Sequence, residues 1–212
     1  MALCSCVTLL VENLLLLAAF GASLTVAITV TLLMRDFDGD CPLFPTIPSA
    51  ADRFFFTFEA NDVSNCKFVM ALNYVTAGMA VLAMVLLTIR FIRKTVVPKK
   101  SLMPLVALSF FAITGLLVAA SAIVVSLGFK RLCDGLVNSG FFSSWSCEGW
   151  QDYLSWDSMD YNGSHFYDYL FITQIAVWLN AGLWIALAVV MAVAWRCFSQ
   201  MDSDDDIRGL VN

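Results

Sequence analysis

Cys41, Cys66, Cys133 and Cys147 carry the clearest chemistry in this chain. They fall as two pairs, each within one polar segment between long apolar runs. Thiols so placed oxidise to disulfides in the secretory pathway. Four cysteines allow three connectivities. Pairing within each segment, Cys41 with Cys66 and Cys133 with Cys147, closes the shorter loops at lower entropic cost. A bridge between the two segments stays open as the alternative. The other three cysteines, Cys4, Cys6 and Cys197, lie beyond the opposite ends of the apolar runs. There they read either as palmitoylation sites or as unmodified interfacial thiols.

Carboxylates suggest a second chemistry. The stretch "RDFDGDCPLF" (Arg35–Phe44) places three aspartates beside a glycine, in the manner of a calcium loop. An EF-hand needs Gly at its sixth position and Glu at its twelfth. Counted from Asp36, those positions hold Cys41 and Ile47, so the calcium reading fails. The aspartates read as solvated groups at a helix exit, with Gly39 and Pro42 turning the chain. His165 is the only histidine and forms neither a metal set nor a triad. There is no H-E-x-x-H, no glycine-rich phosphate loop and no aspartate pair within an apolar run. No catalytic, cofactor-binding or metal-binding residue is assigned, and the chain is read as a non-enzyme without a cofactor.

These residues need elements to hold them, and the composition says which. Of 212 residues, 60% are hydrophobic and 14% charged, against about a quarter charged in soluble domains. Mean hydropathy is +0.80. No water-surrounded core of this length could hide so much apolar surface. Four uncharged segments, 14–34, 68–89, 102–127 and 169–195, each reach the roughly 20 residues that span a bilayer as helix. The expected fold is all-α: a four-helix transmembrane bundle with two disulfide-bearing loops, 35–67 and 128–168. The first run has no basic residue before it and exceeds a cleaved signal core in length, so it is read as an uncleaved span.

Orientation follows from basic residues in short loops. The connection 90–101 carries Arg90, Arg93, Lys94, Lys99 and Lys100 without an acid, which places it in the cytoplasm. Both termini, including the tail 196–212, then lie there too. The cysteine pairs and the sequon Asn162-Gly163-Ser164 fall on the opposite, lumenal or extracellular side. Sequons so near a bilayer are often skipped, so glycan occupancy at Asn162 is left open. The lumenal side holds twelve acids against five bases, and no nucleic-acid partner is expected. The membrane is read as plasma membrane or a secretory or endosomal vesicle.

Polar residues inside spans are the candidate working parts. Asn73 shares a helical face with Ala77 and Ala80, and Thr173 with Ala176 and Asn180. Such stripes let helices approach and hydrogen-bond; a polar pathway is the second reading. Gly115/Ala119 and Gly182/Ala186 read as further helix contacts. Glu12 is placed at headgroup level, just before a helix beginning at Leu14. The second loop is rich in aromatics, among them Trp145, Trp150, Trp156 and Phe166. They form either a cap on the lipid surface or a protein-binding face. The tail "SQMDSDDDIRGLVN" reads as solvated and disordered, although Ser203 before three aspartates resembles an acidophilic kinase site.

A set of short motifs resembles the transmembrane protein 179 family. They are "GDCPLF", "CKFV", "SLGFKRLCD", "SCE" and "FYDYLFITQIAVW", in order along most of the chain. "VENLLLLAAF" is similar to the family's B branch. The resemblance implies a four-span membrane protein with cysteine-bearing lumenal loops, and it brings no catalytic residues. Claudins fit less well, with a cysteine pair in loop one only. Tetraspanins need a Cys-Cys-Gly that is missing, and innexins a far longer cytoplasmic loop. The expected function is a non-catalytic accessory, trafficking or scaffold subunit that binds a membrane partner or a second copy. A pore-forming oligomer lined by Glu12, Asn73 and Asn180 is the alternative.

Overall fold

Where no water is at hand, an apolar chain must satisfy its backbone within each segment. The described residues accordingly form four long helices. The computed structural model describes residues 2–44, 63–93, 103–138, 146–153 and 162–211, with side chains placed at 8–44, 63–89, 92, 105–137, 146–152 and 162–196. The long helices are α1 (Ala2–Asp36), α2 (Val63–Arg93), α3 (Met103–Asn138) and α5 (Phe166–Val211). A short α4 (Gly149–Tyr153) and a 3-10 turn (Gly163–His165) lie between α3 and α5. The described residues contain no strand. Each long helix holds a stretch long and apolar enough to cross a membrane: Thr8–Asp36, Val63–Ile89, Leu105–Val137 and Gly163–Arg196. Around the bundle the order is α2, α1, α5, α3, and α2 and α3 close the ring with a sparser contact.

The helices outrun the apolar runs that announced them. α1 begins at Ala2 rather than Leu14. Glu12 is therefore a buried residue in the third turn, 6% exposed, and not a residue just before a helix start. Glutamate is a good helix former, so one carboxylate does not stop a helix already under way. α3 continues past Leu127 to Asn138, because Val125, Phe129, Leu132 and Leu136 keep one face apolar and buried. Lys130 and Arg131 merely occupy the exposed face between them. α5 carries on through the tail to Val211, where the acidic composition suggested disorder. Extending a formed helix needs no new nucleus. The side chains of Cys4, Cys6, Cys197 and Ser203, the loop lysines Lys94, Lys99 and Lys100, and the aromatics Trp145 and Trp156 lie outside the described residues.

One end of the bundle is a packed cap. α1 stops in a left-handed turn at Asp38 (φ 50°) and Gly39 (φ 93°). Gly39 N donates to Met34 O and Asp38 N to Arg35 O, the paired bonds of a Schellman cap. The next carbonyl, Asp36 O, accepts from Asn162 N at 2.9 Å, so the end of the second loop closes the end of α1. The aspartate-rich stretch is thus a helix terminator. Cys41 bonds to Cys66 in the first turn of α2, and Cys133 near the end of α3 bonds to Cys147. Their Cα atoms lie 5.8 and 5.2 Å apart. Leu43 is buried against α3 at Gly128, where a Cβ would come within 2.7 Å of the Leu43 carbonyl oxygen. Trp150 and Phe166 are buried in this cap, so these two aromatics fill its interior rather than covering lipid or presenting a binding face.

Candidate functional site

The most distinctive chemistry lies inside the bundle, where side chains from three helices form one polar cluster. Its parts are Ser23 on α1, Asn73 and Thr76 on α2, and Asn180 on α5, all essentially inaccessible. A run of hydrogen bonds connects them. Asn180 Nδ2 donates to Ser23 Oγ at 2.9 Å and to Asn73 Oδ1 at 3.1 Å. Ser23 Oγ lies 3.1 Å from Thr76 Oγ1, and Thr76 Oγ1 donates to the Asn73 carbonyl at 3.1 Å. One proton assignment serves the chain throughout: amide to serine, serine to threonine, threonine to backbone. Asn73 Nδ2 donates to Val69 O, which fixes Asn73 Oδ1 as an acceptor toward α5.

Two helical turns from Asn180, Thr173 meets Thr29 with hydroxyls 2.6 Å apart. Each hydroxyl can also reach a backbone carbonyl of its own helix. With one proton each, one threonine donates across the interface and the other donates back. α1 and α5 are thereby joined at two levels, and α2 at the first of them, by groups with no aqueous competitor.

α3 lies outside this cluster and joins α5 largely by shape. A Cβ at Gly115 would meet Ile185 Cγ1 at 3.2 Å and Trp184 Cβ at 3.5 Å, so the glycine lets α3 and α5 close. Trp184 packs on Phe111 and Phe110 with ring centroids 5.9 and 6.4 Å away. Nearer the cap, Trp178 Nε1 donates to Ser126 Oγ at 3.0 Å.

Of the residues singled out from sequence, Asn73 and Asn180 are brought into direct contact, and Thr173 sits on the same buried face of α5. Glu12 lies apart. Eleven residues separate it from Ser23, about 16 Å along the helix at 1.5 Å per residue. The Gly115/Ala119 pair is an internal contact. Gly182 is not: its missing side chain faces open space with nothing within 4 Å. Asn162 is exposed, and its Oδ1 accepts from Ser164 Oγ at 2.8 Å.

Sequence reasoning missed Ser23, Thr29, Thr76 and Gln151. The first three are common in apolar helices, where they bond their own backbone. Thr76, one turn from Asn73, was the available signal. Gln151 gave none: its Oε1 accepts from the Tyr167 and Asp168 amides at 2.9 and 3.2 Å, capping α5 from α4. Among the described residues no group of side chains could hold a metal ion.

Comparison with known proteins adds two findings. Residues 8–208 match a family model described as the transmembrane protein 179/179B claudin domain. Transmembrane protein 179B of Danio rerio is 28% identical over 189 residues, covering 87% of this chain and 83% of its own. No solved structure matches significantly. The family description narrows the distance from claudins that the loop cysteines suggested: the cysteines mark a difference in the loops, within a claudin-type domain.

Proposed function

The chain belongs to the transmembrane protein 179/179B family of claudin-type, multi-pass membrane proteins, and on that premise we propose that it is a non-catalytic accessory or scaffold subunit. Its partner is a membrane protein or a second copy, bound laterally within the bilayer. One observation carries the reading. Ser23, Asn73, Thr76 and Asn180 direct their hydrogen bonds at one another inside the bundle, whereas the outward faces carry many large apolar side chains and are flat at Gly182. A framework locked from within leaves its outer helix faces for contact.

In this reading the basic connection 90–101 and both termini face the cytosol. The disulfide-linked cap then faces the lumen or exterior, with Asn162 open to glycosylation. Cys4, Cys6 and Cys197, on the cytoplasmic side in this reading, are candidates for palmitoylation. The membrane is the plasma membrane or that of a secretory or endosomal vesicle.

Purification in mild detergent with cross-linking and mass spectrometry tests the proposal. The expected result is a reproducible complex that Gly182→Leu weakens without unfolding the bundle. A persistent lone monomer would sink it. The burial of Glu12 within α1 favours one second reading, a channel-like oligomer. Planar-bilayer recording separates the two: a current altered by Glu12→Gln supports the pore, and silence at adequate incorporation supports the accessory role.

A further inference from the structure

Asn180 and Trp184 stand one turn apart on α5, and both are fully buried. Asn180 uses both amide protons, on Ser23 and on Asn73. Its Oδ1 has no hydrogen-bond partner, and neither has Trp184 Nε1. Turning the Asn180 amide over would not help. Asn73 Nδ2 is committed to Val69 O, so two carbonyl oxygens would then face each other and Ser23 would lose its donor. The acceptor is therefore Oδ1. Unpartnered polar atoms at zero exposure are rare in native proteins and call for an explanation.

The two atoms are complementary, one an acceptor and one a donor. Residues four apart on a helix share a face, with Cβ atoms about 5–6 Å apart. The Trp184 ring packs on the carbon rings of Phe110 and Phe111, which offer its N–H no acceptor. A small molecule that both donates and accepts meets both requirements. Buried waters typically satisfy polar groups in this way.

We propose that the Asn180–Trp184 turn is a binding site for a single structural water, which donates to Asn180 Oδ1 and accepts from Trp184 Nε1. The water extends the polar cluster of α1, α2 and α5 to the residue that anchors α3. It makes Trp184 a working part of the hydrogen-bonded core. The site does not depend on what the protein binds.

The test is NMR of the intact protein in lipid nanodiscs with 15N-labelled tryptophan. Replacing Trp184 by benzothienylalanine, an isostere without the N–H, assigns its signal by loss. The expected result is a cross-peak from the Trp184 indole proton to a long-lived water. The isostere should also lower the thermal midpoint, because it strands the water. If the indole proton shows no water contact and the isostere leaves the midpoint unchanged or raises it, the proposal is overturned. Should the isostere fail to fold, Trp184→Phe supplies the assignment and the cross-peak alone decides.

Discussion

A buried amide has two donors and a two-lone-pair acceptor, and its partners decide whether it stabilises or strains a bundle. Asn180 gives both protons to side chains on other helices, so its removal leaves Ser23 Oγ and Asn73 Oδ1 without that donor. Interhelical bonds in membranes average ~0.6 kcal/mol and reach ~1.7. Asn180→Leu should therefore destabilise the bundle by about 1–2 kcal/mol, read as a lower thermal midpoint in detergent. Ser23→Ala should cost less, because Asn180 keeps Asn73. A cycle combining Asn180→Leu with Asn73→Leu should be non-additive, since each removes the same bond. Additive losses would mean that the contact contributes nothing. At this scale Ser23 was illegible in sequence, and Thr76 offered only its spacing from Asn73: a hydroxyl in an apolar helix has its own backbone as a ready partner, and only a neighbour's position reveals the alternative.

Between elements, the decisive residues are those without side chains. Gly128 lies against the backbone of Leu43, so Gly128→Val must displace the first loop from α3. Overpacking of this kind costs about 1–3 kcal/mol. The expected readout is faster reduction of the Cys41–Cys66 bond, two residues from Leu43, followed by thiol labelling. Gly182→Val provides the contrast, since its space is open: the midpoint of the isolated protein should not move. Gln151→Ala tests the docking of α4. It frees the Tyr167 and Asp168 amides, and loss of a cap costs about 1 kcal/mol. Hydrogen exchange should speed up across the first turn of α5 and leave Asn180 unaffected. Exchange unchanged at Tyr167 would show that the cap is held by other contacts. Two of the motifs that suggested the family, "GDCPLF" and "SLGFKRLCD", prove to be the two sides of the Leu43–Gly128 contact.

For the whole molecule, two disulfides and a polar core act at different levels of one bundle. The Cys41–Cys66 bond closes 25 residues of separation and Cys133–Cys147 closes 14. In the chain-entropy model these loops correspond to roughly 3.5 and 3 kcal/mol. Cys41→Ser with Cys66→Ser should therefore lower the unfolding midpoint somewhat more than the second pair does. Neither should disturb the Asn73–Asn180 contact deep in the spans. Sidedness is a property at this scale too. Tags at both ends should be reachable only after permeabilising cells, and a glycan at Asn162 should be removable from unpermeabilised ones if the protein reaches the surface. A tag exposed on intact cells would reverse the orientation.

The amino-acid sequence determined the class, the number of long helices and the pairing of thiols within each loop. These follow from local quantities: apolar run length against bilayer thickness, and loop length against closure entropy. Tertiary structure alone decided where the helices end, which polar side chains meet, and which glycines face inward. Lys130 and Arg131 interrupt a hydropathy run but not the buried stripe of Phe129, Leu132 and Leu136 beneath them. Gly115 and Gly182 read identically as small residues, yet one seats Ile185 and the other faces outward. The difference lies in the rotation of each helix about its axis. Packing against neighbours sets that rotation, and no single helix encodes it.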